Sequence, residues 1–476
     1  MSIYSVLFLF FFLPIALAVY YLADDRIKEY VLLFISLFFY AIGSLEYIVK
    51  FLFCLAVNVF IGRSIHAAVN KMTKRLLFVL GVLFNAGVLI YYKYSDFVVE
   101  NINTVSGTHL PLFQLALPLG ISFFTFKSIS YLTDIYTQKA VLNDNPVHDA
   151  LYLSFFPQIQ SGPLTRYNDM VFPAELKGQK SASFTLFSDG VFRFLIGFNK
   201  KVLLADVLSK ITTEIFSSPV ESCTASYAWL GSVCYSLQLF FDFAGYSDMA
   251  IGLSEMFGYQ CMENFHYPYL TESVSGFWRR WHISLSEWFR DYIYIPLGGS
   301  RCKNKLLVYR NLFVVWLLTG IWHGASWNFV FWGLGYFVLI SFERMTKFPQ
   351  RFKHRYSRIL YRVFTLIFIN CQWVIFRSKT LESGFQFLKV MFFNRQNDTT
   401  ADLRTGVLLK EYSVFLLAAV LFCFPVAKWI EGRLRPRKKL SVVYEALAAV
   451  VTLGLFVCAI SFIVAGNNNP FAYANF

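Results

Sequence analysis

Twelve runs of about twenty mostly apolar residues, separated by short basic or turn-rich stretches, dominate this chain of 476 residues. A helix needs about 20 such residues, rising about 1.5 Å each, to cross a hydrocarbon core of about 30 Å. The runs fall at 2–22, 29–45, 47–62, 76–95, 111–133, 185–205, 227–257, 306–323, 325–342, 358–377, 412–430 and 442–465. Composition agrees, with 57% hydrophobic and 19% aromatic residues and a mean hydropathy of +0.51. Charged residues make up 15%, against about 25% in soluble domains, so a wetted exterior could not be built. The expected fold class is all-α, a polytopic membrane protein with about 11–13 membrane helices. The run 148–164 is too short to cross and holds Pro157 and Pro163, which predicts a re-entrant or interfacial segment.

Charge sets the sidedness. The net charge of +14 is gathered in short clusters between apolar runs, the pattern of the positive-inside rule and not of a nucleic-acid groove. The clusters are Arg63 to Arg75, Arg301 to Arg310, Arg344 to Arg362 and Arg433 to Lys439. All four can be cytoplasmic together, which sends the tail 466–476 to the extracytoplasmic side and leaves 258–305 cytoplasmic. The first run, Ser2 to Leu22, lacks a basic leader region and reads as a retained span. Without a repeat or soluble module, 1–476 is expected to be one membrane domain. The scattered cysteines contain no C-x-x-C pair, so neither a metal site nor a redox motif is indicated.

Titratable groups inside such a chain are costly and point to function. The run FWRRWHISLSEWFRDYIYIPLGGSR, 277–301, carries His282 among arginines and tryptophans. Trp278, Trp281 and Trp288 suit an interfacial belt, whereas Arg279, Arg280 and Arg290 suit binding of an anionic donor such as a coenzyme A thioester. In TGIWHGASWNF, His323 lies in an apolar run next to helix-breaking glycines. It is either a general base exposed to a cavity or a histidine hydrogen-bonded between helices, and the residues alone leave both open. Asp242, Asp248 and Glu255 fall in another apolar run, where they could line an ion path or pair with basic groups such as Arg279 and Arg280. Walker A, G-x-S-x-G and H-E-x-x-H motifs do not occur.

Several stretches together resemble the membrane-bound O-acyltransferases, in the bacterial branch of alginate O-acetylation proteins. They are PLGISFFTFKSISYLTDIY (118–136), FFPQIQSGPLTRY (155–167), FDFAGYSDMAIGLSEMFGY (241–259), ENFHYPY (263–269), and the 277–301 and 319–329 segments already quoted. They span most of a catalytic core region at 110–335. The resemblance implies helices and re-entrant segments around a central funnel, with His323 as the catalytic histidine and His282 as the second essential one. Arg279, Arg280, Trp281 and Asn328 are then expected to line the donor path.

The same resemblance implies an acetyl group taken from a cytoplasmic thioester, acetyl-CoA or another, with no tightly bound cofactor. The acceptor would be an extracytoplasmic polysaccharide such as alginate or peptidoglycan, served by a secreted or periplasmic acetyltransferase of the SGNH, esterase-like type. The setting would be the bacterial inner membrane and its lipids. The last residues, FAYANF, fit an F-x-Y-x-x-F pattern through Phe471, Tyr473 and Phe476, which resembles an acyl-carrying tyrosine motif of this branch. Tyr473 would then be an acyl relay; the other reading is an aromatic anchor at the interface. Alternatives are D-alanyl transfer to teichoic acid, a proton-coupled exporter using Asp242, Asp248 and Glu255, and a noncatalytic scaffold.

Overall fold

The computed structural model describes residues 1–170, 180–302, 304–393, 399–434, 436 and 438–466. Among them the regular structure is entirely helical. Five helical stretches are long and apolar enough to cross a membrane: Leu45–Ala67, Lys71–Lys93, Lys305–His323, Arg355–Arg377 and Lys439–Val464. The pair Thr400–Glu411 and Ser413–Phe422 passes the same test together but is bent by 68°. The chain forms two compact units, Met1–Phe194 with Ser247–Glu263, and Leu195–Tyr246 with Asn264–Phe476.

In the first unit the helices are α1 (Leu13–Leu22), α2 (Lys28–Gly43), α3 (Ile48–Ala67), α4 (Lys71–Lys93), α5 (Ser95–Ser106), α6 (Ile121–Tyr136), α7 (Pro146–Ser154), α8 (Phe156–Ile159) and most of α9 (Lys180–Asn199). Asn70 opens α4 by accepting the Met72 N–H, and Asn145 opens α7 by accepting that of Val147. The expected span at 111–133 is not one helix. Pro111 and Pro118 keep the chain irregular, and the Asp96 carboxylate accepts the Phe113 and Gln114 N–H groups at 2.7 and 3.0 Å. Helix resumes only at Ile121, after Gly120 turns with φ +66°.

The run expected to be re-entrant or interfacial forms the short helices α7 and α8. Leu151 to Ile159 are buried almost without exposure, so protein covers their backbone. The buried Lys127 ammonium donates to Tyr152 O and Gln158 Oε1, at 2.5 and 2.9 Å. Arg63 and Tyr167 both bond to the buried Asp149 carboxylate at 2.8 and 2.7 Å. Irregular backbone is thus tolerated because its polar groups find partners inside the protein.

The second unit contains α10 (Asp206–Ser217), most of α11 (Ala225–Met256), α12 (Val274–Trp278), α13 (Ile283–Phe289), α14 (Lys305–His323), α15 (Trp327–Thr346), α16 (Arg355–Arg377), α17 (Leu381–Phe393), α18 (Thr399–Glu411), α19 (Ser413–Phe422), α20 (Val426–Leu434) and α21 (Lys438–Val464). The expected 412–430 span ends early, because Pro425 separates α19 from α20. Helix continues from α9 to α10 through a π-helical stretch, Lys200–Ala205. Here Lys201 bonds to both Asp206 and Asp242 at 2.7 Å, all three being buried. In the first unit Arg193 reaches Asp248 at 3.1 Å, Glu255 at 3.9 Å and Glu263 at 2.5 Å. The acidic groups of α11 are therefore held by Lys201 and Arg193, not by Arg279 and Arg280. Chain positions far from 279 and 280 supply those cations, which spacing along α11 could not indicate.

Candidate active site

The 277–301 segment is not a continuous interfacial helix. It begins as α12, whose first N–H groups, Val274 and Ser275, are accepted by the Glu343 carboxylate at 2.7 and 2.8 Å. Tyr361 O–H donates to the same carboxylate at 2.9 Å, so a buried acidic group on α15 anchors this segment. The helix ends at Trp278, and His282 takes a left-handed conformation, φ +46°, before α13 begins. Such a conformation costs a non-glycine residue about 1–2 kcal/mol and persists where the surroundings impose it. Asn264 imposes it: its carbonyl accepts Ile283 N–H at 3.0 Å, while its side-chain oxygen accepts Ser284 N–H and Oγ–H at 3.2 and 2.9 Å.

The same Asn264 oxygen lies 3.1 Å from His282 Nδ1. A backbone N–H can only donate, so this oxygen is an acceptor and the imidazole proton sits on Nδ1. Nε2 is then the basic nitrogen. His282 is 1% exposed, with the Phe243 ring edge-on at 4.6 Å and Trp322 at 6.3 Å. Burial lowers its pKa to about 3, so the ring is neutral near pH 7.

His323 is the last residue of α14, where Gly324 leaves helical geometry. Two glycines bring α14 and α15 into backbone contact. A Cβ on Gly320 would stand 2.5 Å from Phe329 O, and one on Gly333 2.4 Å from Trp316 O. The buried His323 ring sits among Trp322, Trp332 and Phe376, at 4.8, 4.8 and 5.3 Å. Trp322 therefore adjoins both histidines.

A cavity of about 400 Å³ lies beside these segments. Trp278, Arg279, Ile283, Glu287 and Arg290 form one wall, and Val315, Trp316 and Thr319 of α14 another. Ile283 directly follows His282, and Thr319 lies about one helical turn before His323. Arg290 is engaged with Asp291 at 2.7 Å and Glu287 at 3.4 Å. Arg279 makes no ion pair among the described residues, which leaves its guanidinium available to an anionic group in the cavity.

Arg280, Trp281 and Asn328 do not line this cavity. Arg280 lines a separate cavity. Trp281 is 1% exposed and packs on Phe277 and Trp373, and Trp278 and Trp288 are also buried, so these tryptophans form core and not an interfacial belt. The Asn328 amide donates to Ser378 O at 2.9 Å and to Ile375 O at 3.4 Å, tying the start of α15 to the end of α16. Tyr473 lies outside the described residues. Asn264 and Glu343 escaped sequence reasoning. Asn264 falls in the quoted ENFHYPY stretch, but nothing there shows that it meets His282.

Comparison with known proteins gives several matches. Residues 144–385 match the model of MBOAT, the membrane-bound O-acyltransferase family. The chain is 38% identical to the probable alginate O-acetylase AlgI of Pseudomonas aeruginosa, over 86% of this chain and 80% of that protein. It is 37% identical to the peptidoglycan O-acetyltransferase of Helicobacter pylori, over 81% and 78% respectively. A teichoic acid D-alanyltransferase of Bacillus subtilis is 32% identical over 57% of this chain and 71% of its own length.

Proposed function

The chain belongs to the membrane-bound O-acyltransferase family, and from that premise we propose that it carries acetyl groups from a cytoplasmic thioester to a polysaccharide outside the membrane. It is an acyltransferase and a multi-pass membrane protein. The finer reading rests on one observation above the rest. Two buried imidazoles adjoin the Trp322 ring, and their segments wall a cavity whose Arg279 makes no ion pair among the described residues.

In this reading Arg279 binds a phosphate of the donor, acetyl-CoA or another acyl thioester, which is a substrate and not a resident cofactor. His323 takes the proton of the acceptor hydroxyl as its oxygen attacks the thioester carbonyl. The new C–O bond forms, the C–S bond breaks, and the imidazolium returns the proton to the departing thiolate. His282, neutral and fixed by Asn264, offers Nε2 to the reacting groups. The core region 110–335 is completed by Glu343 and Phe376, which hold α12 and face His323.

The acceptor class follows from the relatives, one named for alginate and another for peptidoglycan. The protein would sit in the bacterial cytoplasmic membrane with its C-terminus outside. There Tyr473 would receive the acetyl group, since a phenol with a pKa of about 10 forms a more reactive ester than a sugar alcohol. A secreted acetyltransferase of the SGNH, esterase-like type would complete the transfer to the glycan. D-alanyl transfer ranks second, because the relative of that kind covers less of this chain.

The test supplies isotopically labelled acetyl donor to membranes holding His323→Ala, His282→Ala or Tyr473→Phe, and measures label in the glycan. His323→Ala is expected to abolish labelling while inserting normally, and full labelling would refute its role as base. Unchanged labelling with Tyr473→Phe would leave that residue an anchor. Label from D-alanine in place of acetate would favour the second reading.

A further inference from the structure

Arg279 and Arg280 are neighbours in sequence but serve different cavities. The one lined by Arg280 measures about 480 Å³ and also takes in Thr271, Glu272, Ser273, Gln350 and Arg358. Its two guanidiniums come from separate parts of the chain, the turn after α12 and the first turn of α16. Arg280 donates to His266 O at 3.4 Å and Arg358 to Phe352 O at 3.2 Å. Among the described residues each thus spends a single guanidinium hydrogen bond, on a neutral carbonyl. Neither is ion-paired among the described residues, and Glu272, the one carboxylate lining the cavity, bridges to neither. A planar guanidinium carries five N–H donors in a fork that fits a phosphate, so most of the donor capacity of these two lining residues is unspent on carboxylates.

Depth along α16 indicates what the anion is. Arg358 sits where a membrane-length apolar helix begins. Immediately beyond it, Ile359, Leu360, Val363 and Phe364 are 47–71% exposed, a face open to lipid chains in a membrane. In the adjoining sequence Lys347, Arg351, Lys353 and Arg355 are exposed without lining the cavity, a basic cluster bordering a span. A cation at this level meets lipid phosphates, and the apolar face gives the attached acyl chains a continuous path.

We propose that this cavity binds the phosphodiester headgroup of an anionic phospholipid, with Arg280 and Arg358 gripping the phosphate from two sides. The site stands apart from the acyl-transfer reading, since it shares no lining residue with the cavity of Arg279. A soluble phosphate shares the chemistry but has no use for the apolar face of α16, which favours the lipid.

The full chain, purified in detergent, is titrated with phosphatidylglycerol or phosphatidylcholine, and retained lipid is counted by native mass spectrometry. Phosphatidylglycerol is expected to be retained preferentially. Arg358→Gln should reduce its retention about fivefold, the scale of one basic contact at an anionic surface. Lys353→Gln, which removes equal charge outside the cavity, should leave retention near that of the unaltered protein. Equal losses in the two variants, or equal retention of the two lipids, would overturn the proposal. Inorganic phosphate forms a third arm, and heat protection by phosphate as great as by phosphatidylglycerol would assign the cavity to a soluble anion and overturn the lipid. If Arg358→Gln fails to fold, Arg358→Lys keeps the charge without the fork, and undiminished retention in that variant would also overturn the clamp.

Discussion

Asn264 holds His282 in a single tautomer: its side-chain oxygen, fixed as an acceptor by the Ser284 N–H, receives the proton of His282 Nδ1 at 3.1 Å. Three donors converge on that one oxygen, counting the Ser284 hydroxyl. Replacing it by Asn264→Ala strands buried donors at about 1–3 kcal/mol each and frees the ring to change tautomer. Turnover is expected to fall about tenfold to a hundredfold, as each 1.36 kcal/mol on a barrier is about a factor of ten. Asn264→Asp keeps the acceptor and should recover part of the rate. If turnover is unchanged in the alanine variant while melting temperature drops, Asn264 serves the fold alone.

The neutral His282 ring ties stability to pH. Its folded pKa, about 3, lies below the unfolded value of 6.5, so between those values the unfolded chain binds the extra proton. Stability is therefore indifferent to this group above pH 6.5 and declines as pH falls below it. At pH 5 the loss from this one group is about 2 kcal/mol. Thermal unfolding in detergent between pH 7.5 and 5 should show the decline, and His282→Gln should flatten it. A variant with the same slope as the unaltered protein would place the pH sensitivity elsewhere.

The apolar runs disclosed the spans best where nothing competed with helical periodicity. The 47–62, 76–95, 306–323, 358–377 and 442–465 runs lie within or close to the five crossing helices. The 111–133 run failed because hydrophobicity outweighed its two prolines, and because the Asp96 interaction with 113 and 114 is invisible from the run itself. In the candidate site, His282 and His323 stood out because buried titratable groups are expensive. Their supports were not. Asn264, Glu343 and Phe376 reach them from other parts of the chain, and contacts of that kind leave no local pattern. Arg279 and Arg280 were grouped together for the same reason. Adjacency in sequence assigned them to one donor path, whereas the chain ends α12 at Trp278 and turns through a left-handed His282, and the two arginines line different cavities.

Glu343 fastens the segment that carries Arg279 and His282. Its two oxygens accept from Val274, Ser275 and Tyr361, and it is 4% exposed. Glu343→Leu removes these acceptors from buried donors, and hydrogen bonds to a charged group are worth about 1.5–3 kcal/mol each. The melting temperature should fall by several degrees, and turnover with it as the α12 turn loosens. Tyr361→Phe takes one donor and no acceptor, so its effect should be the smaller. A larger loss in the tyrosine variant would mean that α16 packing, and not the carboxylate, holds the turn.

Gly333 gives the most direct test of whether His323 depends on the α14–α15 contact. A Cβ there would lie 2.4 Å from the Trp316 carbonyl oxygen and 3.1 Å from Gly320 Cα, both backbone atoms that cannot swing aside. Gly333→Ala must therefore separate the helices by a fraction of an ångström, at about 1–3 kcal/mol for overpacking. The shift acts on the two sides of the His323 ring, since Trp332 adjoins position 333 and His323 ends the helix that would be displaced. Turnover should fall about tenfold or more, because small displacements of a reacting group cost heavily. Gly335→Ala supplies the contrast on the same helix. Its Cβ would meet the Gln372 side-chain amide at 2.5 Å, a group able to move, so both stability and turnover should change less than in Gly333→Ala. Equal effects from the two substitutions would show that α15 tolerates neither for reasons unrelated to His323.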